Sequence, residues 1–86
     1  MKSVGIALLG YGTVGSALER LLLEQEKEIE KRIMHHGLEP VKLELLWVYH
    51  RENKPPSIAS HASLTASYEE ILGDDRVQIV VELMGG

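Results

Sequence analysis

The sequence predicts an α/β domain with a parallel sheet in βαβαβ order, and three observations predict it. An apolar run from Val4 to Leu9 stops at a glycine-rich turn, and a long amphipathic segment follows that turn. Two further apolar runs, Val41 to Tyr49 and Val77 to Met84, are separated by a shorter helical pattern. Strands that alternate with helices in this way form parallel sheets through right-handed crossovers.

Each element has its own signal. Val4 to Leu9 is almost continuously apolar, as a strand covered by helices on both faces must be. After the turn Gly10-Tyr11-Gly12-Thr13-Val14-Gly15, the residues Val14, Leu18, Leu22, Gln25, Ile29 and Ile33 recur at helical spacing, widened by Ala17 and Leu21. Glu19, Arg20, Glu26, Lys27, Glu30 and Lys31 then fall on the opposite, solvent-facing side. The pattern predicts one helix from about Thr13 to about His36. Glu28 and Arg32 form a favourable pair four residues apart, His35 and His36 suit the negative end of the dipole, and Gly37 is the stop.

Val41 to Tyr49 is the second strand. His50 to Ser60 is polar, contains Pro55 and Pro56, and reads as loop. A connection reaching Ala66 is long for a compact domain, so either Ala62 to Thr65 forms a short extra strand or the loop touches something outside this chain. Ser67 with Glu70 has the spacing of a capping box for a short helix ending at Gly73. Asp74, Asp75 and Arg76 make the next turn. Val77 to Met84 is the third strand, with Ile79, Val80 and Val81 as its core and Glu82 near its end.

Composition narrows the function. With 86 residues, the whole chain from 1 to 86 is one small domain, and a domain of this size buries only about 60% of its unfolded surface. The formal charge of −4 argues against a nucleic-acid partner, which calls for a basic patch. No apolar run approaches the roughly 20 residues that span a bilayer, and Val4 to Leu9 is too short for a signal-peptide core. The absence of cysteine removes thiolate metal sites and suits a cytoplasmic protein. His35 and His36 read as helix-end cations, not metal ligands.

The chemistry lies in the glycine turn. Gly-x-Gly-x-x-Gly is weak evidence alone, but here it joins a strand to a helix inside a βαβ pattern, the context of a dinucleotide fingerprint. Gly10 permits the turn, Gly12 allows close approach of a pyrophosphate, and Gly15 lets the helix pack on the strand. N–H groups around Thr13, Val14 and Gly15, at the positive end of the helix dipole, supply donors. The fold class is thus the first nucleotide-binding half of a Rossmann-type sheet.

Residues at the end of the second strand choose between NAD and NADP. An acid there binds a ribose 2′-hydroxyl, whereas Arg accommodates a 2′-phosphate. Tyr49-His50-Arg51-Glu52 places His50 and Arg51 first, with Lys54 beyond, so the reading leans to NADP. The competing reading makes Arg51 and Lys54 solvated loop charges. If the third strand pairs with the free side of the first, Gly85 and Gly86 face the cofactor across the crevice from Gly12.

The stretch from Gly5-Ile6-Ala7-Leu8-Leu9-Gly10 through Tyr11-Gly12-Thr13-Val14-Gly15-Ser16 closely resembles the opening of bacterial homoserine dehydrogenases. So do Glu30-Lys31-Arg32-Ile33, the Lys54-Pro55 loop and the closing Val80-Val81-Glu82-Leu83-Met84-Gly85-Gly86. The resemblance implies NAD(P)-dependent interconversion of aspartate semialdehyde and homoserine, on the route to threonine and methionine. It carries cofactor-binding roles to Gly10, Gly12, Thr13, Val14 and Gly15, to His50 and Arg51, and to Gly85 and Gly86. Two departures stand out: Ala17 replaces a frequent Gly, and His50-Arg51 replaces a more usual Arg-Asp pair. Members of the family continue far beyond this length, with the catalytic lysine and the homoserine-binding acids in a later domain. The expectation is therefore a piece of a larger enzyme that does not oxidise homoserine alone. Another Rossmann oxidoreductase, or a non-catalytic module that self-associates through the apolar edge from Val77 to Met84, are the competing readings.

Overall fold

The computed structural model describes residues 2–37, 41–51 and 57–84. In chain order, β1 (Lys2–Leu9) leads through the glycine turn into α1 (Gly12–Glu24) and α2 (Glu26–His35). Then come β2 (Val41–Tyr49), β3 (Ser63–Thr65), α3 (Tyr68–Leu72) and β4 (Val77–Glu82). All strand pairings are parallel, and the sheet order is β3-β2-β1-β4. The expected parallel α/β sheet is therefore present, and the strand ending near Glu82 does pair with the free side of β1.

Alternation along β1 sends side chains to two cores, one on each face of the sheet. Ile6 and Leu8 pack with Val48 and Ala62, under Leu18 and Leu22 of α1. Ala7 and Leu9 pack on the other face with Ile71 of α3, Trp47 and Tyr49. A register irregularity between Ile6 and Ala7 leaves Leu46 without a direct partner in β1. β1 is thus covered on both faces, as its apolar sequence requires.

Four expectations need correction. The single long helix is divided at Gln25, whose φ of −107° and ψ of 12° leave the helical region. The hydrogen-bond ladder nevertheless crosses the division, with the Gln25 N–H on Leu21 O and the Ile29 N–H on Gln25 O, both at 2.9 Å. The change of direction falls in the polar run from Glu24 to Glu28, where no apolar side chain holds the helix to the sheet; Glu26 instead meets Lys42 of β2 at 3.8 Å.

The buried stripe of α1 is also rotated from the expected one. Gly15, Leu18, Glu19 and Leu22 face inward, whereas Val14 is 64% and Leu21 51% exposed. Third, the capping box does not form. Ser67 stands at the N-cap without a side-chain bond to the helix, and Thr65 Oγ1 accepts the Ser67 N–H at 3.0 Å, the donor a capping box assigns to Glu70, while donating to Glu70 Oε1 at 3.0 Å. Fourth, the core assigned to the last strand is largely exposed. Ile79 and Val80 are 44% and 43% accessible, because β4 is an edge strand with no neighbour beyond it among the described residues.

Other expectations stand. The extra strand raised for Ala62 to Thr65 is β3, α3 ends at Gly73, and Gly37 closes α2 with a φ of 77°. Glu28 and Arg32 pair at 3.9 Å on the exposed face. No helix among the described residues is long and apolar enough to cross a membrane.

Candidate functional site

Register brings the strand ends into one row. Thr65, Tyr49, Leu9 and Glu82 stand side by side at the C-terminal rim of the sheet. The chain passes from β1 to β2 on one side and returns to β4 on the other, so the strand order reverses at β1. Open α/β sheets bind ligands at such a switch point, outside the C-terminal strand ends. The glycine turn rises from this point.

Backbone hydrogen bonds fix the rim. The Gly10 N–H donates to Tyr49 O at 2.9 Å, the Leu83 N–H to Leu9 O at 2.8 Å, and the His50 N–H to Thr65 O at 2.9 Å. Gly10 has a φ of 108°, a conformation that side chains with a Cβ rarely adopt. Gly15 is needed for closeness: a Cβ there would lie 2.8 Å from Gly10 O, so α1 sits directly on the end of β1. Beside Gly12, in contrast, a Cβ would meet nothing within 4 Å.

That open space lies at the start of α1, where no side chain caps the first turn. The first N–H groups of a helix have no partner within it, and they carry the positive end of its dipole. Thr13 and Val14 are exposed in this turn, and the Ser16 hydroxyl is occupied with Thr13 O at 3.1 Å. A pyrophosphate fits these features: free donors, favourable charge and room beside Gly12.

His50 and Arg51 follow β2 directly along the rim. His50 is half-buried, and Arg51 is exposed. Met84, the last described residue, packs near Gly10, its Cγ lying 2.8 Å from where a Cβ would stand there. Glu82, at the end of β4, accepts the Met84 N–H, the local pairing expected of a strand-end acid. Gly85 and Gly86, like Glu52 and Lys54, lie outside the described residues.

Beneath the turn is a group that helical periodicity misassigned. Glu19, expected on the solvent face, is 1% exposed. Its Oε1 accepts the Tyr11 hydroxyl at 2.6 Å and the Ala59 N–H at 3.0 Å. Its Oε2 accepts the Ser60 N–H at 3.0 Å and the Ser60 hydroxyl at 2.5 Å. Burial acts to raise the carboxyl's pKa, but the bonds from Ser60, Tyr11 and Ala59 outweigh it and hold the group below its ordinary value. The same bond to Glu19, with burial, pushes the Tyr11 phenol up.

A second unexpected anchor holds the approach to β4. Asp74 accepts the Trp47 indole N–H at 2.8 Å and the Arg76 guanidinium at 2.7 and 3.0 Å. Arg76, then Trp47, hold the Asp74 carboxyl far below the usual range.

Taken together, the sheet, the reversal at β1 and the uncapped glycine turn define a dinucleotide-binding domain of the Rossmann type. A family model described as the NAD-binding domain of homoserine dehydrogenase matches residues 10–86. The chain is similar to the homoserine dehydrogenase of Corynebacterium glutamicum, with 36% identity over 85 residues, covering 99% of this chain and 18% of that protein. Its similarity to the Bacillus subtilis homoserine dehydrogenase is 29% over 86 residues, covering 100% of this chain and 19% of that protein. A crystal structure of S. aureus homoserine dehydrogenase superposes with a TM-score of 0.81 at 33% identity, over 100% of this chain and 21% of that one. The chain therefore spans about one fifth of the length of these relatives. It belongs to the homoserine dehydrogenase NAD-binding domain family.

Proposed function

We propose that this chain is the cofactor-binding portion of a cytoplasmic, NAD(P)-dependent homoserine dehydrogenase, which interconverts aspartate semialdehyde and homoserine in threonine and methionine biosynthesis. The observation that carries this reading is the uncapped start of α1 with open space at Gly12, in a chain of this family. Gly10, Gly12, Thr13, Val14 and Gly15 would hold the pyrophosphate, and His50 and Arg51 the adenosine ribose. Gly85 and Gly86 would face the cofactor from the other side of the crevice. A bound nicotinamide gives or takes a hydride at the substrate's carbonyl carbon. The chain's own part is to bind and orient the dinucleotide; substrate binding and proton transfer belong to other parts of the enzyme.

NADP is the preferred cofactor in this reading. Arg51 supports it, being exposed directly after β2, where a 2′-phosphate would lie. Titration of the chain with NADPH and NADH, followed by cofactor fluorescence, tests both statements. Saturable binding is expected, with NADPH tighter. Gly12→Val removes binding of both, while Arg51→Ala weakens NADPH selectively by about tenfold, the equivalent of one lost bond to a charged group. Absence of binding at millimolar cofactor refutes an autonomous cofactor site, and equal losses in Arg51→Ala refute the NADP preference.

A further inference from the structure

Resting on the cofactor reading above, we infer that Tyr68 is a cofactor-binding residue: its ring is the surface on which the adenine base of the dinucleotide stacks. The order of groups along the rim carries this. Leu9, Tyr49 and Thr65 stand side by side at the ends of β1, β2 and β3. The glycine turn rises from β1, and in folds of this type the ribose lies at the end of β2. A dinucleotide carries pyrophosphate, ribose and base in that sequence. Laid from β1 across β2, over strands about 4.8 Å apart, it brings its base to the end of β3 and the residues that follow.

Those residues lead directly into Tyr68. β3 ends at Thr65, and α3 opens with Tyr68 three residues later. α3 packs on the face of the sheet opposite α1, since Ile71 joins Ala7 and Leu9 whereas Leu18 and Leu22 join Ile6 and Leu8. The rim is therefore a floor, with the start of α1 on one side and the start of α3 on the other. The Tyr68 ring lies against Tyr49, the rim residue of β2, with centroids 6.2 Å apart and planes at 81°. An edge-to-face pair of this kind holds a ring in place without covering it. Tyr68 stays 39% exposed, while Tyr49 is half-buried.

The backbone beneath the ring is fixed as well. Thr65 Oγ1 holds both the Ser67 N–H and the Glu70 carboxylate, and the Glu70 N–H reaches Ser67 O at 3.2 Å. Tyr49 also accepts the Gly10 N–H through its carbonyl at 2.9 Å, so the glycine turn and the Tyr68 ring share one support. A ring held this way loses little freedom when a base arrives. Stacking of a base needs a flat, accessible aromatic face and no particular hydrogen-bond partner. It takes no account of the 2′-phosphate, so Tyr68 acts on NADP and NAD alike. A cleft of about 330 Å³ between α1 and β2 is a weaker candidate for function. Its charged side chains are already engaged, Lys42 with Glu26 and Arg76 with Asp74.

Affinities for NADPH, NADH and ADP-ribose, which keeps the adenine but lacks the nicotinamide, are measured for the wild-type chain, Tyr68→Leu and Tyr68→Phe. Tyr68→Leu is expected to weaken all three alike by about tenfold, the scale of one base–aromatic stack. Tyr68→Phe keeps the ring and the wild-type affinities. Unchanged ADP-ribose affinity in folded Tyr68→Leu overturns the inference, and so does a Tyr68→Phe chain that binds as weakly as Tyr68→Leu.

A measurement on the wild type alone decides if Tyr68→Leu does not fold. In the chain saturated with ADP-ribose, nuclear Overhauser contacts are expected between the adenine protons and the Tyr68 ring. Their absence overturns the inference. A wild-type chain that binds none of the three nucleotides at millimolar concentration overturns the cofactor reading and this inference together. Cofactor binding that is indifferent to Tyr68→Leu overturns the inference and leaves the cofactor reading standing.

Discussion

Gly15 and Glu19 are neighbours on the inward face of α1, and each constrains the fold for a different reason. At Gly15 the constraint is space. A methyl group placed 2.8 Å from Gly10 O must push α1 away from β1. Gly15→Ala is therefore expected to cost about 1–3 kcal/mol, the range for overpacked sites. Urea denaturation checks the loss, and weaker NADPH and NADH binding should accompany it. At Glu19 the constraint is charge. An unfolded glutamate titrates near pH 4.3 or so, and folded Glu19 titrates lower. Between those values the unfolded chain holds more protons, so stability rises with pH. The contribution is complete above about pH 4.3 and is lost as the pH falls through the folded value. The urea midpoint should drop on acidification toward about pH 3, and less steeply in Glu19→Gln. An equal pH dependence in both proteins would contradict this account.

At the scale of the element, what was legible in the sequence was whatever depends on near neighbours. The apolar run of β1 and the glycines at 10, 12 and 15 identify a strand, a turn and a helix because each signal spans a few residues. Pairing of the last strand with β1 follows from general rules of parallel sheets, as does the meeting of the glycine turn with the end of β2 at the rim, where the Gly10 N–H reaches Tyr49 O. Periodicity was insufficient for the phase of α1. Val14 and Leu21 look like core positions on a helical wheel, yet α1 begins beyond the sheet's rim and presents Glu19 instead. Glu19 is buried because donors forty and forty-one residues away satisfy it, and nothing local announces them. Trp47 and Asp74, separated by 27 residues, are the same kind of case. The three-residue β3 was visible only as a loop too long to be without structure. Its Thr65 accepts the Ser67 N–H that the spacing assigned to Glu70.

For the whole molecule, the decisive property is the asymmetry between the two sheet edges. β3 is short, whereas β4 offers six residues with Ile79 and Val80 turned to solvent. An apolar edge of this kind recruits another strand. The 86-residue chain is expected to dimerise or aggregate through β4. Sedimentation at tens of micromolar should show species larger than a monomer, and Val80→Lys should return the chain to a monomer by placing a charge on the edge. A monomeric wild type would refute this expectation. The inner strands are independent of it, since β1 is covered by Leu18 and Leu22 on one face and by Ile71 on the other.

The bond from Trp47 to Asp74 also makes assembly of the sheet visible by light. The chain has a single tryptophan, and its indole N–H reaches from β2 to the turn that launches β4, with β1 between them. Its emission thus reads one event, the closing of the chain's last third onto its first two strands, without interference from other indoles. Asp74→Asn should shift that signal in the folded protein while leaving the glycine turn untouched. A tyrosine-based or far-ultraviolet probe would follow the remainder. Disagreement between the two during unfolding would mean that β4 leaves before the β1–β2 pair opens.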